Sequence, residues 1–160
     1  MAEYTYNPIQ TVQPNQQVLL NTTIGCQKGY VLHREGSGIV TLRGIVNCPN
    51  SCFARYQVTF NGNIALPEGT TTILPISIAV AIDGEPILTS KAIYSPTAAS
   101  VEGSDANYGN VTSTAIVTIP KGCCFNVSVE NVSAIPTTPA GANAPAINVQ
   151  NANLVVTRIA

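Results

Sequence analysis

The sequence predicts an all-β domain built as a sandwich or barrel, and three observations carry that prediction. Apolar and polar residues alternate with a period of two along several segments, as in 53–60, which is typical of strands with one buried face. No long apolar stripe with the 3.6-residue period of a helix occurs, and 12 glycines and 11 prolines interrupt the chain. Turn dipeptides such as Asp83-Gly84 stand between apolar runs, as in a hairpin.

The strand candidates follow one another at short intervals from residue 18 to residue 159. The predicted strands are 18–24, 29–34, 39–46, 53–60, 76–82, 111–119, 125–130 and 153–159. Turns are predicted at 36–38, 83–84 and 120–122, because Gly, Asp and Pro supply the backbone geometries that tight turns need. The stretches 66–72 and 134–146 are predicted to be irregular loops, and the second is long for a compact domain.

Length and composition indicate one domain with an unusually uncharged surface. Only 9% of the 160 residues are charged, against about 25% in an ordinary soluble domain. The formal net charge is −1 and no cluster of Lys or Arg occurs, so we expect no binding to nucleic acid. Because so few charges would leave a fully exposed surface poorly soluble, we expect an obligate oligomer. The alternative is a solvated surface of uncharged polar residues.

The sequence also bears on targeting and on domain boundaries. No segment reaches the roughly 18 apolar residues of a membrane span, so we expect no membrane partner. The N-terminus shows neither the basic region nor the apolar region of a secretory signal. Residues 1–14 are predicted to form an extended arm, and residues 15–160 are predicted to form one domain.

Five cysteines, Cys26, Cys48, Cys52, Cys123 and Cys124, leave three interpretations open. A structural metal site would combine Cys48 and Cys52 with thiols of the other three, although neighbouring side chains in a strand point to opposite faces. A disulfide, for instance between Cys48 and Cys52, would require an oxidising medium. Buried reduced thiols that pack as small hydrophobic groups are the favoured interpretation. We therefore assign no metal ligand and no cofactor.

No catalytic constellation is recognised, and we expect no enzyme. His33, the one histidine, stands in His33-Arg34-Glu35 and could serve as a proton shuttle, but no nucleophile-elbow pattern accompanies it. We favour a hydrogen-bonded or ion-paired strand end. Asp83 and Glu85 could ligate Ca²⁺, and pairs of carboxylates could serve glycoside hydrolysis, although solvated acids are usual in turns. The carboxylates considered are Glu35, Glu68, Asp83, Glu85, Glu102, Asp105 and Glu130.

Two weaker kinds of candidate concern carbohydrate. Asn-x-Ser/Thr triplets are expected by chance in a chain so rich in Asn and Thr, and they begin at Asn21, Asn110, Asn126 and Asn131. Aromatic residues that could stack on sugars are few and scattered. The best of them are Tyr56, Tyr94 and Tyr108.

Three segments resemble the trimeric heads of the tumour-necrosis-factor/complement-globular-head superfamily, above all its bacterial and phage branch. Segment 12–21 (VQPNQQVLLN) resembles the entry strand, 77–87 (SIAVAIDGEPI) the central hairpin and 152–160 (ANLVVTRIA) the terminal strand. The chain lacks the Gly-x-y stalk of the spore-surface members. Shorter segments resemble small virion or prophage proteins of gut Firmicutes, and these are 33–38 (HREGSG), 52–56 (CFARY) and 121–124 (KGCC).

The resemblance implies a jelly-roll β-sandwich of about 8–10 antiparallel strands that forms a homotrimer. It further implies a virion structural protein, either a capsid decoration or a head or tail appendage, which would reach capsid or other virion proteins through the arm 1–14. The alternative is a trimeric receptor- or glycan-binding head at a bacterial cell or spore surface. Its binding loops would be 63–72, 95–110 and 134–146.

Overall fold

The computed structural model describes residues 1–24, 29–46, 49–137 and 143–160, and in these ranges the chain forms two antiparallel β-sheets. The strands are β1 Ala2–Tyr6, β2 Gln10–Val12, β3 Thr22–Ile24, β4 Val31–His33, β5 Val40–Arg43, β6 Phe53–Ala65, β7 Ile76–Ile82, β8 Glu85–Pro86, β9 Ala92–Tyr94, β10 Gly109–Pro120, β11 Cys124–Asn131 and β12 Ile147–Arg158. A 3-10 turn, Leu88–Ser90, lies between β8 and β9. None of the described helical structure is long and apolar enough to cross a membrane. The predicted all-β sandwich is confirmed.

Sheet A has the strand order β10-β6-β12-β1-β3, and β2 pairs with a separate part of β12. Its longest ladder joins β6 to β10, from the pair Phe53–Pro120 to the pair Ile64–Gly109. The predicted strand 53–60 therefore continues to residue 65. Gly62 is required inside this strand because a Cβ there would lie 2.9 Å from the ring of the buried Phe60.

Sheet B has the order β4-β5-β11-β7-β8, and β9 pairs with β7. The predicted turn at Asp83-Gly84 joins β7 to β8, and both residues have positive φ, at 50° and 82°, as tight hairpin turns require. The segment before β3 runs beside β11, where the Val18 amide donates to the Val129 carbonyl at 2.7 Å. This pairing anchors the chain between β2 and β3 to sheet B.

One hydrophobic core lies between the sheets and draws side chains from both. In β6 the alternation sends Tyr56, Val58 and Phe60 inward, and in β11 it sends Val127 and Val129 inward. The largest fully buried side chains are Tyr4, Tyr56, Phe60, Leu20, Leu42, Ile64, Leu66, Ile76, Ile78, Ile119, Ile147 and Leu154. The core therefore spans the whole length of the sandwich and includes the first strand.

Residues 1–14, which the sequence predicts to be an extended arm, are extended but pair within sheet A. β1 lies inside sheet A between β12 and β3, with pairs that run from Ala2–Val156 to Tyr6–Ala152, and β2 pairs with the start of β12. Tyr4 has no exposed surface. Because this segment supplies backbone hydrogen bonds to two strands and an aromatic ring to the core, residue 14 is not a domain boundary.

Two buried tyrosines, Tyr4 and Tyr56, differ in whether the hydroxyl is satisfied. The Tyr56 hydroxyl donates a hydrogen bond to the Arg43 carbonyl oxygen at 2.5 Å. The Tyr4 hydroxyl is buried with no hydrogen-bond partner among the described residues. Burial raises the pKa of Tyr4 to about 12, so its hydroxyl stays protonated at neutral pH.

Replacing each tyrosine by phenylalanine should therefore change stability in opposite directions. An unsatisfied buried hydroxyl destabilises by about 1–3 kcal/mol, so Tyr4→Phe should raise the free energy of unfolding by up to that amount. Tyr56→Phe removes a made hydrogen bond and should lower the free energy of unfolding by about 1 kcal/mol. Urea unfolding of both variants measures the difference. A Tyr4→Phe variant less stable than the wild type would contradict the assignment of the unpartnered hydroxyl.

Candidate functional site

The outer side of sheet A carries a continuous surface without charge. Along β6, β10 and β12 every second side chain points away from the core, and over most of the three strands these side chains are polar but uncharged, or apolar. We call this surface the uncharged face. Its members are Gln57, Thr59, Asn61, Thr112, Thr114, Ile116, Thr118, Asn153, Val155 and Thr157. Ile116 is 62% exposed, so the face includes an apolar side chain open to solvent.

Polar groups on the uncharged face hydrogen-bond to one another across the strands. Asn61 on β6 donates from Nδ2 to Asn110 Oδ1 at 3.2 Å and to Thr112 Oγ1 at 2.9 Å. Asn110 in turn donates to Asn63 Oδ1 at 3.0 Å. Further along the same pair of strands, Thr114 Oγ1 donates to Thr59 Oγ1 at 3.3 Å. Because these amides and hydroxyls already hydrogen-bond to one another, removing them from water costs less free energy than removing isolated polar groups would.

Strand β10 borders the uncharged face and forms the edge of sheet A. It runs for 12 residues, Gly109–Pro120, and contains no charged residue. Soluble proteins usually protect long edge strands with charged side chains, prolines or bulges, because an open row of backbone groups pairs with other chains. Only Pro120, at its last position, fits that description. The edge is therefore chemically suited to contact with another chain.

The strands of sheet A contain only three charged residues, Glu3, Arg55 and Arg158, and each has a local contact. Glu3 accepts a hydrogen bond from Asn153 Nδ2 at 2.5 Å. The Arg55 guanidinium lies 4.9 Å from the ring centre of Phe53. The Arg158 guanidinium lies 4.5 Å from the ring centre of Tyr30. The charges thus stand at the margins of the uncharged face.

His33 is a hydrogen-bonded strand end, as the favoured interpretation predicts. The ring is 8% exposed, with Nδ1 3.0 Å from Thr23 Oγ1 and Nε2 3.1 Å from the Ser37 carbonyl oxygen. Because a carbonyl oxygen can only accept, Nε2 carries a proton. Arg34 and Glu35 are exposed in the following turn. The ring therefore ties β4 to β3 and to that turn, which is a structural role.

The carboxylates considered for hydrolysis or Ca²⁺ are spread through the molecule, and six of the seven are exposed. Asp83 accepts a hydrogen bond from the Asn126 amide at 3.0 Å, which braces the hairpin turn. No group of three or more metal-ligating side chains exists in the described parts of the chain. Glu130 differs from the others because it is 7% exposed and lies within β11. Burial raises the pKa of its carboxyl group.

Three of the cysteines, Cys52, Cys123 and Cys124, are free and exposed thiols. The prediction of buried thiols is wrong for these three, and the suggested Cys48–Cys52 disulfide involves a residue outside the described ranges. The reason is their place at strand ends: Gly122, with φ of 83°, forms the turn that leads out of β10, and the Lys121 amide donates to the Cys52 carbonyl at 2.8 Å. Cys26 and Cys48 lie outside the described residues.

The three tyrosines considered for sugar stacking occupy different environments. Tyr56 belongs to the core and cannot contact a ligand. Tyr94 and Tyr108 lie near the start of β10, where the Tyr94 hydroxyl donates to the Asn107 carbonyl at 3.3 Å. Of the four Asn-x-Ser/Thr triplets, the one at Asn131 has a fully buried asparagine.

Two of the three predicted binding loops meet at one end of the sandwich. The Ser100 amide donates to the Leu66 carbonyl at 2.9 Å, which joins the loop 66–75 to the loop 95–108. A depression of about 190 Å³ lies between them and is lined by Glu68, Glu102 and Tyr108 among others. Of the third loop, 134–146, residues 138–142 lie outside the described ranges.

Comparison with solved structures identifies the fold. The globular domain of the zebrafish complement 1qA protein aligns with 96% of this chain and 94% of its own, with a TM-score of 0.53 and 15% identity. Eiger TNF from S. frugiperda aligns with 100% of this chain and 92% of its own, with a TM-score of 0.56 and 10% identity. The chain has their jelly-roll fold. No protein-family model and no curated protein matches the sequence.

The jelly-roll fold class predicted from the sequence is thereby confirmed, with more strands than the expected 8–10. At these identities the likeness concerns the fold alone.

Exposure of three thiols predicts their reactivity. Native protein should show at least three thiols that react rapidly with Ellman's reagent, because Cys52, Cys123 and Cys124 are accessible. A variant with all three replaced by serine should lose that rapid phase and keep the wild-type far-ultraviolet circular dichroism spectrum. Fewer than three rapidly reacting thiols in the wild type would contradict the described positions.

Proposed function

We propose that this chain is a structural module that associates into a homotrimer through the uncharged face and the edge of β10. The observation that carries the proposal is the lack of any charge at ten outward positions on three adjacent strands, in a chain whose charged fraction is only 9%. Cores of stable protein–protein interfaces are depleted in charged residues in the same way. The proposed trimer buries this surface.

Physical reasons favour covering this surface rather than leaving it in water. No ion would have to be desolvated over these ten positions, and several of their amides and hydroxyls already pair with one another. Covering the β10 edge would also protect a 12-residue strand that carries no charged side chain. An oligomer of three chains is supported by the resemblance of segments 12–21, 77–87 and 152–160 to trimeric heads.

A pair of matched substitutions tests the proposed interface. Thr114 on β10 and Thr41 on β5 are both threonines that hydrogen-bond across strands on the outer side of a sheet, but only Thr114 belongs to the uncharged face. Thr114→Arg would force a charge into the interface, which costs several kcal/mol. We expect this variant to sediment as a monomer at micromolar concentration, whereas Thr41→Arg should keep the wild-type mass.

Analytical ultracentrifugation measures both masses, and circular dichroism confirms that both variants are folded. A Thr114→Arg variant with the wild-type mass would contradict the assignment of the interface. Loss of mass in Thr41→Arg as well would show that the effect is not specific to the uncharged face.

We further propose that the trimer is a virion structural protein, a capsid decoration or a head or tail appendage. The proposal is supported by the resemblance of segments 33–38, 52–56 and 121–124 to small virion or prophage proteins. Contact with other virion proteins would use surfaces other than the segment 1–14, because β1 and β2 belong to sheet A. The ends of the sandwich and the outer side of sheet B are the surfaces that remain.

A receptor- or glycan-binding head at a bacterial cell or spore surface is the second candidate. The joined loops 66–75 and 95–108 favour it, because they form a depression lined by Glu68, Glu102 and Tyr108. Carboxylates can accept hydrogen bonds from sugar hydroxyls, and an aromatic ring beside them can stack on a sugar face. Both candidates use the same proposed trimer.

Immunogold electron microscopy of the encoding strain separates these two candidates. Antibodies against the purified protein should label phage particles released after prophage induction if the chain is a virion component. Label confined to the cell or spore surface, with unlabelled particles, would overturn the virion proposal and favour the surface head.

A further inference from the structure

A polar groove lies on the outer side of sheet B, away from the uncharged face. Strand β11 sends Val127 and Val129 into the core, so Ser128 and Glu130 point to the opposite side. There they line a groove of about 260 Å³ whose walls include Gln17, Ile39 and Asp83. Beyond Gln17 the groove continues into a second, more open depression that Glu130 also lines.

Glu130 is the buried carboxylate of this groove and has no cationic partner in the described parts of the chain. Only 7% of the residue is exposed, although it lies on the outer side of the sheet. One carboxylate oxygen accepts a hydrogen bond from Ser128 Oγ at 2.9 Å. The second oxygen has no hydrogen-bond partner among the described residues and is accessible from the groove, and no Lys, Arg or His is among the described residues that line it.

This environment disfavours the ionised form of Glu130. Burial raises the pKa of Glu130, the Ser128 hydrogen bond opposes that effect, and the nearby negative charge of Glu85 raises the pKa further. The carboxylate of Asp83 also lines the groove, where it accepts a hydrogen bond from the Asn126 amide. A buried carboxylate is stabilised when a cation pairs with it. A cation bound in this groove would therefore stabilise the ionised form of Glu130.

We propose that this groove binds an alkylammonium group, with Glu130 as the counter-ion. A metal ion fits less well, because no group of three or more metal-ligating side chains exists in the described ranges. A primary ammonium needs only one carboxylate and a few neutral acceptors, and Gln17 supplies an amide oxygen beside Glu130. The side chain of Ile39 offers an apolar wall for the alkyl stem.

The ammonium can come from a free amine or from a lysine side chain, and both share the same chemistry. The probes are 1,4-diaminobutane and a lysine residue blocked at both ends. The uncharged control is 1,4-butanediol, which has the same length as the diamine without its charge. Isothermal titration calorimetry of the full chain in physiological salt measures the affinity for each of the three compounds. Binding by the diamine alone would identify a free amine as the ligand, and binding by the blocked lysine would identify a protein side chain.

Glu130→Gln should weaken amine binding at least tenfold, because it removes the counter-ion while keeping the shape. Glu102→Gln, which neutralises an exposed loop carboxylate, should bind as the wild type does. Binding should also release protons to the buffer at mildly acidic pH, since the cation lowers the raised pKa of Glu130 and ionises it. Asp83→Asn, a second variant that keeps the hydrogen-bonding shape of the turn, should weaken binding several-fold.

The proposal is overturned if neither amine binds, if butanediol binds as tightly as the diamine, or if Glu130→Gln retains wild-type affinity. Should Glu130→Gln fail to fold, the Asp83→Asn variant and the proton release decide. Wild-type affinity in Asp83→Asn without proton release would then overturn it. None of these outcomes depends on the oligomeric state.

Discussion

The insertion of the last strand between the first strand and β6 is the constraint on which the rest of the structure depends. β12 pairs with β6 on one edge, and on the other edge with β2 and then β1. A bulge at Asn151, with φ of 53°, lets β12 change partners where Pro8 separates β2 from β1. Because β1 and β12 lie some 150 residues apart in sequence, this part of sheet A depends on long-range pairing.

The long strands were predictable from the sequence because each carries its own periodicity. Alternation over 53–60, 76–82 and 111–119 predicts β6, β7 and β10, and the Asp83-Gly84 turn fixes one hairpin. β1 also alternates, but its partner nearby in sequence, β3, covers only the three residues Thr22–Ile24. Its other partner, β12, lies some 150 residues away, and no local signal reports so distant a pairing.

The sequence predicts that an uncharged, covered surface exists, but it does not predict where that surface lies. Low charge predicts that some surface is covered, yet only the register of β6, β10 and β12 gathers the uncharged side chains on one face. The alternation in β11 correctly places Glu130 opposite the core, where solvent is expected. The Glu130 side chain is buried there because Gln17 pairs with Glu130 and because the neighbouring strand β7 is covered on both faces. Both contacts come from tertiary structure, which the alternation within β11 does not report.

The outer surfaces of sheet A and sheet B therefore differ in their chemistry. The outer side of sheet A carries the uncharged face, which suits contact with identical copies, while the outer side of sheet B holds a buried carboxylate with no cationic partner among the described residues. Native mass spectrometry of the wild-type chain with a reductant present tests the central claim most directly. The account predicts a single species of three times 16.7 kDa that persists at micromolar concentration. A species of 16.7 kDa under those conditions would contradict it.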